Sequence, residues 1–298
     1  MMIRRRVFAL LAAMALLASA CGSNSTSTTA DDAPTTLVEA TFPADSFAVV
    51  ANADIGTGRS RILLGVVDVG GARLGSPDHD VTISVSPADA TGQVQTAQGI
   101  WTWIIEDVFG LYRAEFELDR PGVWQAVVQP ETGPPLPETG FNVVADTAAP
   151  ALGEPAPLTA TPTSSEHPFA EITTDPDPDP RFYELSLDDA ATNGRPTVAV
   201  FSTPAFCQTA TCGPLLDIVK GIAPSYPDVD FVHIEVYTNL TDPDFAPVPA
   251  NLAPSVTADG WNLPSEPWVF VIDGTGIVQG RYEGVMAAEE LTAILAGS

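Results

Sequence analysis

Residues 147–180 hold eight prolines in 34 positions and end in Asp175-Pro-Asp-Pro-Asp-Pro180. Proline has no backbone N–H and a fixed φ, so neither a helix interior nor a central strand tolerates it at this density. Extended polyproline II is favoured instead, and the repeated aspartates repel one another. The stretch is therefore predicted to be a semi-rigid spacer, able to lie across one of the bodies it joins. It divides the chain into residues 41–146 and 181–298. With 45% apolar residues and 13 Phe, both parts can bury a core.

Residues 41–146 alternate with period two. Arg61-Ile-Leu-Leu-Gly-Val-Val-Asp68 leads to a Gly70-Gly71 turn, and Val81-Thr-Ile-Ser-Val85 alternates cleanly. Trp101–Ile105, Gly110–Leu118, Gly122–Val128 and Gly140–Val144 continue the pattern. Roughly seven short strands with turn residues between them predict an antiparallel β-sandwich. The run Gly110-Leu-Tyr-Arg-Ala-Glu-Phe116 followed by Pro121-Gly-Val-Trp-Gln-Ala-Val-Val128 resembles the late hairpin of immunoglobulin-like bacterial envelope domains. No catalytic constellation stands out here. His79, between Asp78 and Asp80, is expected to be a solvated loop residue, because three adjacent side chains do not define a metal site. His167 in the spacer is likewise expected in solvent.

The first twenty residues read as an address. Met1–Arg6 is a positive n-region, and Val7–Leu17 is an apolar stretch of 11 residues, too short to span a bilayer. It ends Leu17-Ala-Ser-Ala-Cys21-Gly22, which resembles a bacterial lipobox with its Leu one position early. The resemblance implies cleavage before Cys21 and lipidation of its thiol. Arg5-Arg6-Val7-Phe8 loosely resembles a twin-arginine signal, but Arg4 precedes it, so general secretion is the favoured route. Residues 21–40 are then a flexible tether. The expected place is the extracytoplasmic face of a membrane.

Charge narrows the partners. Twelve basic residues stand against 38 acidic ones, a net charge of −26; after loss of the leader, nine basic residues remain and the net charge is −29. Phosphate contacts need a basic footprint, so nucleic acid is excluded as a partner. Outside the cytosol disulfides persist, and beyond Cys21 only Cys207 and Cys212 are left. No cofactor or metal is assigned.

Residues 181–298 read as α/β. A short strand is predicted at Phe182–Leu185, then a short helix over 186–191 with Ser186 as N-cap and Asp189 as capping-box acid. A buried strand follows at Thr197–Ser202, then a helix from Pro214 to Ala223 with proline in its first turn. A second strand runs Val229–Tyr237. After a proline-rich stretch come Trp268–Asp273, a glycine turn, Ile277–Tyr282 and a last helix at Ala287–Ala296.

This order, two cysteines after a central strand, and the segment Trp261-Asn-Leu-Pro-Ser-Glu-Pro267-Trp-Val-Phe-Val-Ile-Asp-Gly274 resemble the thioredoxin-like superfamily. The resemblance implies that Pro267 is the cis-proline beside the reactive cysteines. The cysteine spacing departs from the family. Cys207-Gln-Thr-Ala-Thr-Cys212 is C-x4-C, not C-x-x-C, although Cys212-Gly-Pro214 copies the start of the family motif. With the helix starting at Pro214, both cysteines lie in the preceding loop, and Cys212 sits near the N-terminus, where a thiolate is favoured. Had the helix begun before Cys207, cysteines five apart would lie about 140° apart around it. The whole layout resembles a group of actinobacterial thioredoxin-like lipoproteins with an N-terminal immunoglobulin-like domain.

Several chemistries remain open for Cys207 and Cys212. Thiol–disulfide exchange uses one as nucleophile and the other to resolve the mixed disulfide, with envelope proteins carrying thiols or disulfides as partners. A thiol peroxidase would share the fold, but its P-x-x-x-T/S-x-x-C pattern meets Val200 and Pro204. A structural disulfide would make the body a binding or assembly module. A copper-handling variant would need a His, and the candidate is His233 on a strand. His233 and Glu235 share a face of that strand; buried on a covered sheet, they are expected to be a satisfied pair, or else Glu235 relays protons to the cysteines. Trp268 is expected in the core or in a substrate groove.

Overall fold

The computed structural model describes residues 41–297; Cys21, the leader and the tether lie outside the described residues. Two sheets organise the rest.

The first is antiparallel throughout and has eight strands: β1 (Phe47–Val50), β2 (Gly58–Val67), β3 (Arg73–Leu74), β4 (Val81–Pro87), β5 (Gln95–Ile105), β6 (Phe109–Leu118), β7 (Gly122–Pro130) and β8 (Thr139–Val143). Their order is β1-β2-β6-β5-β4-β7-β8, with β3 paired to β2. Side chains alternate as the sequence pattern requires: β4 and β7 bury every second residue along most of their length. The inward rows (Ile62, Leu64 and Val66 from β2, Ile83 from β4, Tyr112 from β6, Trp124 from β7) meet in one core, so the sheet is folded over upon itself. A bridge between Gly56 and Val144 brings its two ends together and leaves it nearly closed. The short edge strands β1 and β3 had no alternation long enough to predict them.

The second sheet has four strands in the order β10-β9-β11-β12. They are β9 (Thr197–Ser202), β10 (Asp230–Glu235), β11 (Trp268–Ile272) and β12 (Val278–Glu283). β9 and β10 are parallel; β11 runs antiparallel to both β9 and β12. Every residue of β9 and β11 is buried. Four helices accompany it: α1 (Phe169–Ile172), α2 (Leu187–Thr192), α3 (Cys212–Ile222) and α4 (Ala288–Leu295). One apolar layer covers each face.

Two expectations are corrected and a third is made specific. The predicted strand at Phe182–Leu185 is instead a 3₁₀ turn, Pro180–Tyr183. Pro180 opens the turn, and the rings of Phe182 and Tyr183 are buried from it. The helix predicted from Pro214 begins at Cys212. The first helical N–H groups have no intrahelical acceptor, so proline at the third position costs nothing there and does not mark the first residue. The spacer is part of a core. Ala149 and Ala156 pack under β11 and β12, and Ile172 packs under α3. Thr161 receives the Leu187 N–H, so α2 is capped from the proline-rich segment, while Ser186 binds Thr161 N–H and Asp188.

The two sheets touch along a polar seam with a small apolar patch of Leu63, Ile104 and Val285. Arg281 on β12 donates to Pro150 O and Asp54 O, both at 3.1 Å, and pairs with Asp54, whose carboxylate also accepts the Ala148 and Ala149 N–H groups. Glu283 accepts the Ala53 N–H at 2.8 Å and the Ser265 hydroxyl at 2.6 Å. Glu290 holds Arg61 at 2.7 Å and Arg113 at 3.4 Å. No helix among the described residues is long and apolar enough to cross a membrane.

Candidate functional site

The loop Thr203–Thr211 leaves the C-terminal end of β9 and enters α3. It carries Cys207, joined to Cys212 in a disulfide with Cα atoms 6.0 Å apart. The two sulfurs are unequal. Cys212 is the first residue of α3 and is completely buried; Cys207 is partly exposed on the loop. The Cys212 N–H, one of the groups that the helix leaves without an internal partner, donates to Cys207 Sγ at 3.3 Å. The Thr209 hydroxyl lies 3.3 Å from the same sulfur and 2.7 Å from the Thr211 hydroxyl. Once the pair is reduced, these groups and the positive end of α3 all favour negative charge on Cys207. Between the two cysteines the loop passes through a left-handed residue, Ala210, with φ 60°.

Two other named residues flank the end of β9. Glu235 pairs in register with Ser202. Trp268 pairs with Phe201, so Pro267, which follows a cis peptide bond, stands one step further toward the cysteine loop. Burial holds the Glu235 carboxyl above its ordinary range. It accepts the Thr174 N–H at 2.8 Å and the Thr174 hydroxyl at 2.7 Å, and Thr174 in turn accepts the Ala205 N–H at 3.1 Å. A residue of the proline-rich segment thus ties the buried acid to the cysteine loop.

His233 and Glu235 are not partners of each other. His233 Nε2 lies 3.1 Å from the Ser202 carbonyl and 2.9 Å from its hydroxyl, and Nδ1 lies 2.8 Å from the Tyr183 hydroxyl. The carbonyl assigns the proton to Nε2, leaving Nδ1 to accept. Burial pushes the pKa down to about 4, so the ring is neutral. Trp268 is core: it is fully buried, its N–H donates to Ser265 O, and Arg281 lies 4.7 Å over its ring. His79 bonds Ser76 and stacks on Phe42; His167 pairs with Glu171 in partly exposed surroundings. No group of three metal-binding side chains occurs among the described residues.

Glu266 was not singled out from the sequence. It precedes Pro267, and its buried Oε2 has no hydrogen-bond partner. Burial, with a smaller contribution from the charge of Glu235, pushes its pKa up to about 7. The folded chain therefore binds a proton that the unfolded chain has released, so stability falls as pH rises from the unfolded value through about 7 and is flat above it. Glu266→Gln stays neutral at every pH. Its expected effect is a gain of about 1–2 kcal/mol at about pH 8, reduced for partial solvent exposure, and none at about pH 4. Urea unfolding at the two pH values checks this; an equal effect at both would contradict it.

A wide cleft lies elsewhere. About 800 Å³ between the sheets is lined by Arg59, Arg61, Arg113, Arg281 and their acidic partners, and no residue of the cysteine loop borders it.

No protein-family model matches the chain, and no curated protein matches it. Among solved structures the likenesses are partial. The sensor domain of the anti-sigma factor RsgI4 from Pseudobacteroides cellulosolvens is 12% identical with a TM-score of 0.23, over 34% of this chain and 97% of that one. A superoxide reductase (neelaredoxin) from Ignicoccus hospitalis is 8% identical at 0.23, over 35% and 82%. A putative glycoside hydrolase from Bacteroides vulgatus is 16% identical at 0.20, over 36% and 22%. Likenesses this slight carry no argument about activity.

Proposed function

We propose that the chain is an extracytoplasmic thiol–disulfide exchange protein, in which an immunoglobulin-like sandwich is packed against a thioredoxin-like body. The observation that carries this is the asymmetry of the pair: Cys207 is partly exposed on its loop, and Cys212 is buried at the start of a helix. In the reducing direction, the Cys207 thiolate attacks a substrate disulfide. A Cys207–substrate disulfide forms and one substrate thiolate leaves. Cys212, deprotonated, then attacks Cys207 Sγ, the second substrate sulfur leaves and takes up a proton, and the protein is oxidised as the substrate is reduced. The same steps in reverse oxidise a substrate. Glu235 and Thr174 position the loop from behind. The thioredoxin-like reading draws support from the strand order β10-β9-β11-β12, the parallel β9–β10 pair and the entry of α3 at the disulfide.

The test is turnover of a peptide disulfide by the full chain carrying Cys21→Ala, with a dithiol as electron source. Acceleration over the dithiol alone supports the reading, and none overturns it. A structural disulfide is the second reading, favoured by the complete burial of Cys212. It would leave the chain as a binding module.

The lipid anchor belongs to the same proposal and rests on the leader and Cys21. Cys21→Ala is expected to move the protein from the membrane fraction to the soluble fraction of cells; unchanged retention would contradict it.

A further inference from the structure

Phe206, immediately before Cys207 in the chain, is one of three half-buried rings that pack together. Its centroid lies 4.9 Å from that of Phe245 and 6.3 Å from that of Tyr237, and Tyr237 and Phe245 are 6.0 Å apart. The loop that presents Phe245 is braced. Tyr237 bridges to Leu252, Thr238 N–H donates to Asn251 O, the Asn251 side chain donates to Ala246 O, and Phe245 N–H donates to Asp242 O. Val248 on the same loop is 43% exposed. An apolar surface held this firmly in partial contact with water has a free-energy reason to be covered.

The rim is acidic. Asp242 and Asp244 are exposed on the loop that carries Phe245. The only Lys or Arg from residue 203 to residue 268 is Lys220, and it is held by Asp175 at 2.8 Å and Asp217 at 3.0 Å. No unpaired Lys or Arg occurs along this stretch of the chain to offset the acids.

We propose that the rings of Phe206, Tyr237 and Phe245, with the acids around them, select substrate polypeptides that carry an apolar side chain beside the reacting cysteine and Lys or Arg nearby. The proposal rests on the exchange reading and names its substrate class. The rings take the apolar side chain and hold the scissile disulfide over Cys207, and the acidic rim raises the rate of encounter with a cationic segment. Rings at this spacing also accept a cation over their faces.

The experiment uses the full chain with Cys21→Ala, reduced beforehand. Three disulfides are compared by stopped flow: a Lys-Phe-Cys-Lys peptide and a Glu-Ser-Cys-Glu peptide, each as its thionitrobenzoate mixed disulfide, and the uncharged 2-hydroxyethyl disulfide. The expected result is that the cationic aromatic peptide reacts at least about tenfold faster than the anionic one, with the advantage mostly lost in about 0.5 M salt. Phe245→Ala is expected to lower the rate ratio of the cationic peptide to the hydroxyethyl disulfide about fivefold. Equal rates for the two peptides, with the hydroxyethyl disulfide still reacting, would overturn the selection and leave exchange intact. If none of the three reacts, the exchange reading fails and takes this proposal with it.

Discussion

Cys212→Ser is expected to accumulate covalent adducts with substrate, whereas Cys207→Ser is expected to accumulate none. The reason is access. Cys207 is the partly exposed member of the pair, and it has the Cys212 N–H and the Thr209 hydroxyl to stabilise its thiolate. Removing Cys212 leaves the first attack in place and removes the resolving one, so the mixed disulfide persists. Removing Cys207 leaves a thiol with 0% exposure that no disulfide can approach without opening the start of α3. Turnover of a peptide disulfide should fall by at least about a hundredfold in both variants, because a step that needs two thiols cannot complete with one. Mass spectrometry of the non-reduced protein separates the two cases. Equal trapping by both variants would contradict the assigned order of attack.

Arg281→Ala is expected to cost about 3–5 kcal/mol of stability, the range for removing one partner of a buried ion pair. Asp54 has a side chain only 5% exposed, and it would keep just the two N–H groups of Ala148 and Ala149. The carbonyls of Asp54 and Pro150 would each lose a donor, and the Trp268 ring would lose its cation. Because Arg281 joins the first sheet, the proline-rich segment and the second sheet, its loss should also separate unfolding into two transitions. Asp54→Asn in the same chain should recover part of the loss by removing the stranded charge, so the two changes should not be additive. A loss below about 1 kcal/mol would mean that the seam is solvated and the sheets are held by other contacts.

Where one rule dominated, the sequence was readable. The alternation in Val81–Val85 and Gly110–Leu118 marked strands because one side of each faces an apolar core and the other faces water. Thr197–Ser202 was readable as a buried strand for the opposite reason, since β9 is covered on both faces. That the spacer lies across a body agrees with its reading; which residues enter the core was not legible, because its buried apolar members, Ala149, Ala156 and Ile172, are small or isolated and follow no period. Proline density speaks of backbone conformation, and does not say which of the segment's side chains are buried. Phe182–Leu185 has strand-like composition, but Pro180 and the pull of two aromatic rings toward the core produced a turn.

The site was readable to the extent that its chemistry is covalent or positional. Cys207 and Cys212 could be placed after a central strand from the sequence, and Pro267 was named only through the resemblance of the segment that holds it. The asymmetry between the sulfurs could not, because it depends on whether α3 begins at Cys212 or Pro214. Thr174 carried no signal, since its two bonds to Glu235 span 61 positions. Glu266 lay inside the segment that drew attention to Pro267. Only the fold reveals that one of its oxygens is buried without a partner.

The reduction potential of Cys207–Cys212 tests the exchange reading most directly. The material must be the full chain with Cys21→Ala rather than residues 181–298, because Ala149, Ala156, Ile172 and Thr174 complete the core and the loop support of the second sheet. Glutathione titration with mass-spectrometric readout gives the value. The expected result lies between about −270 and −120 mV, the span of working exchange proteins. A value below about −300 mV would identify a structural disulfide and contradict the account.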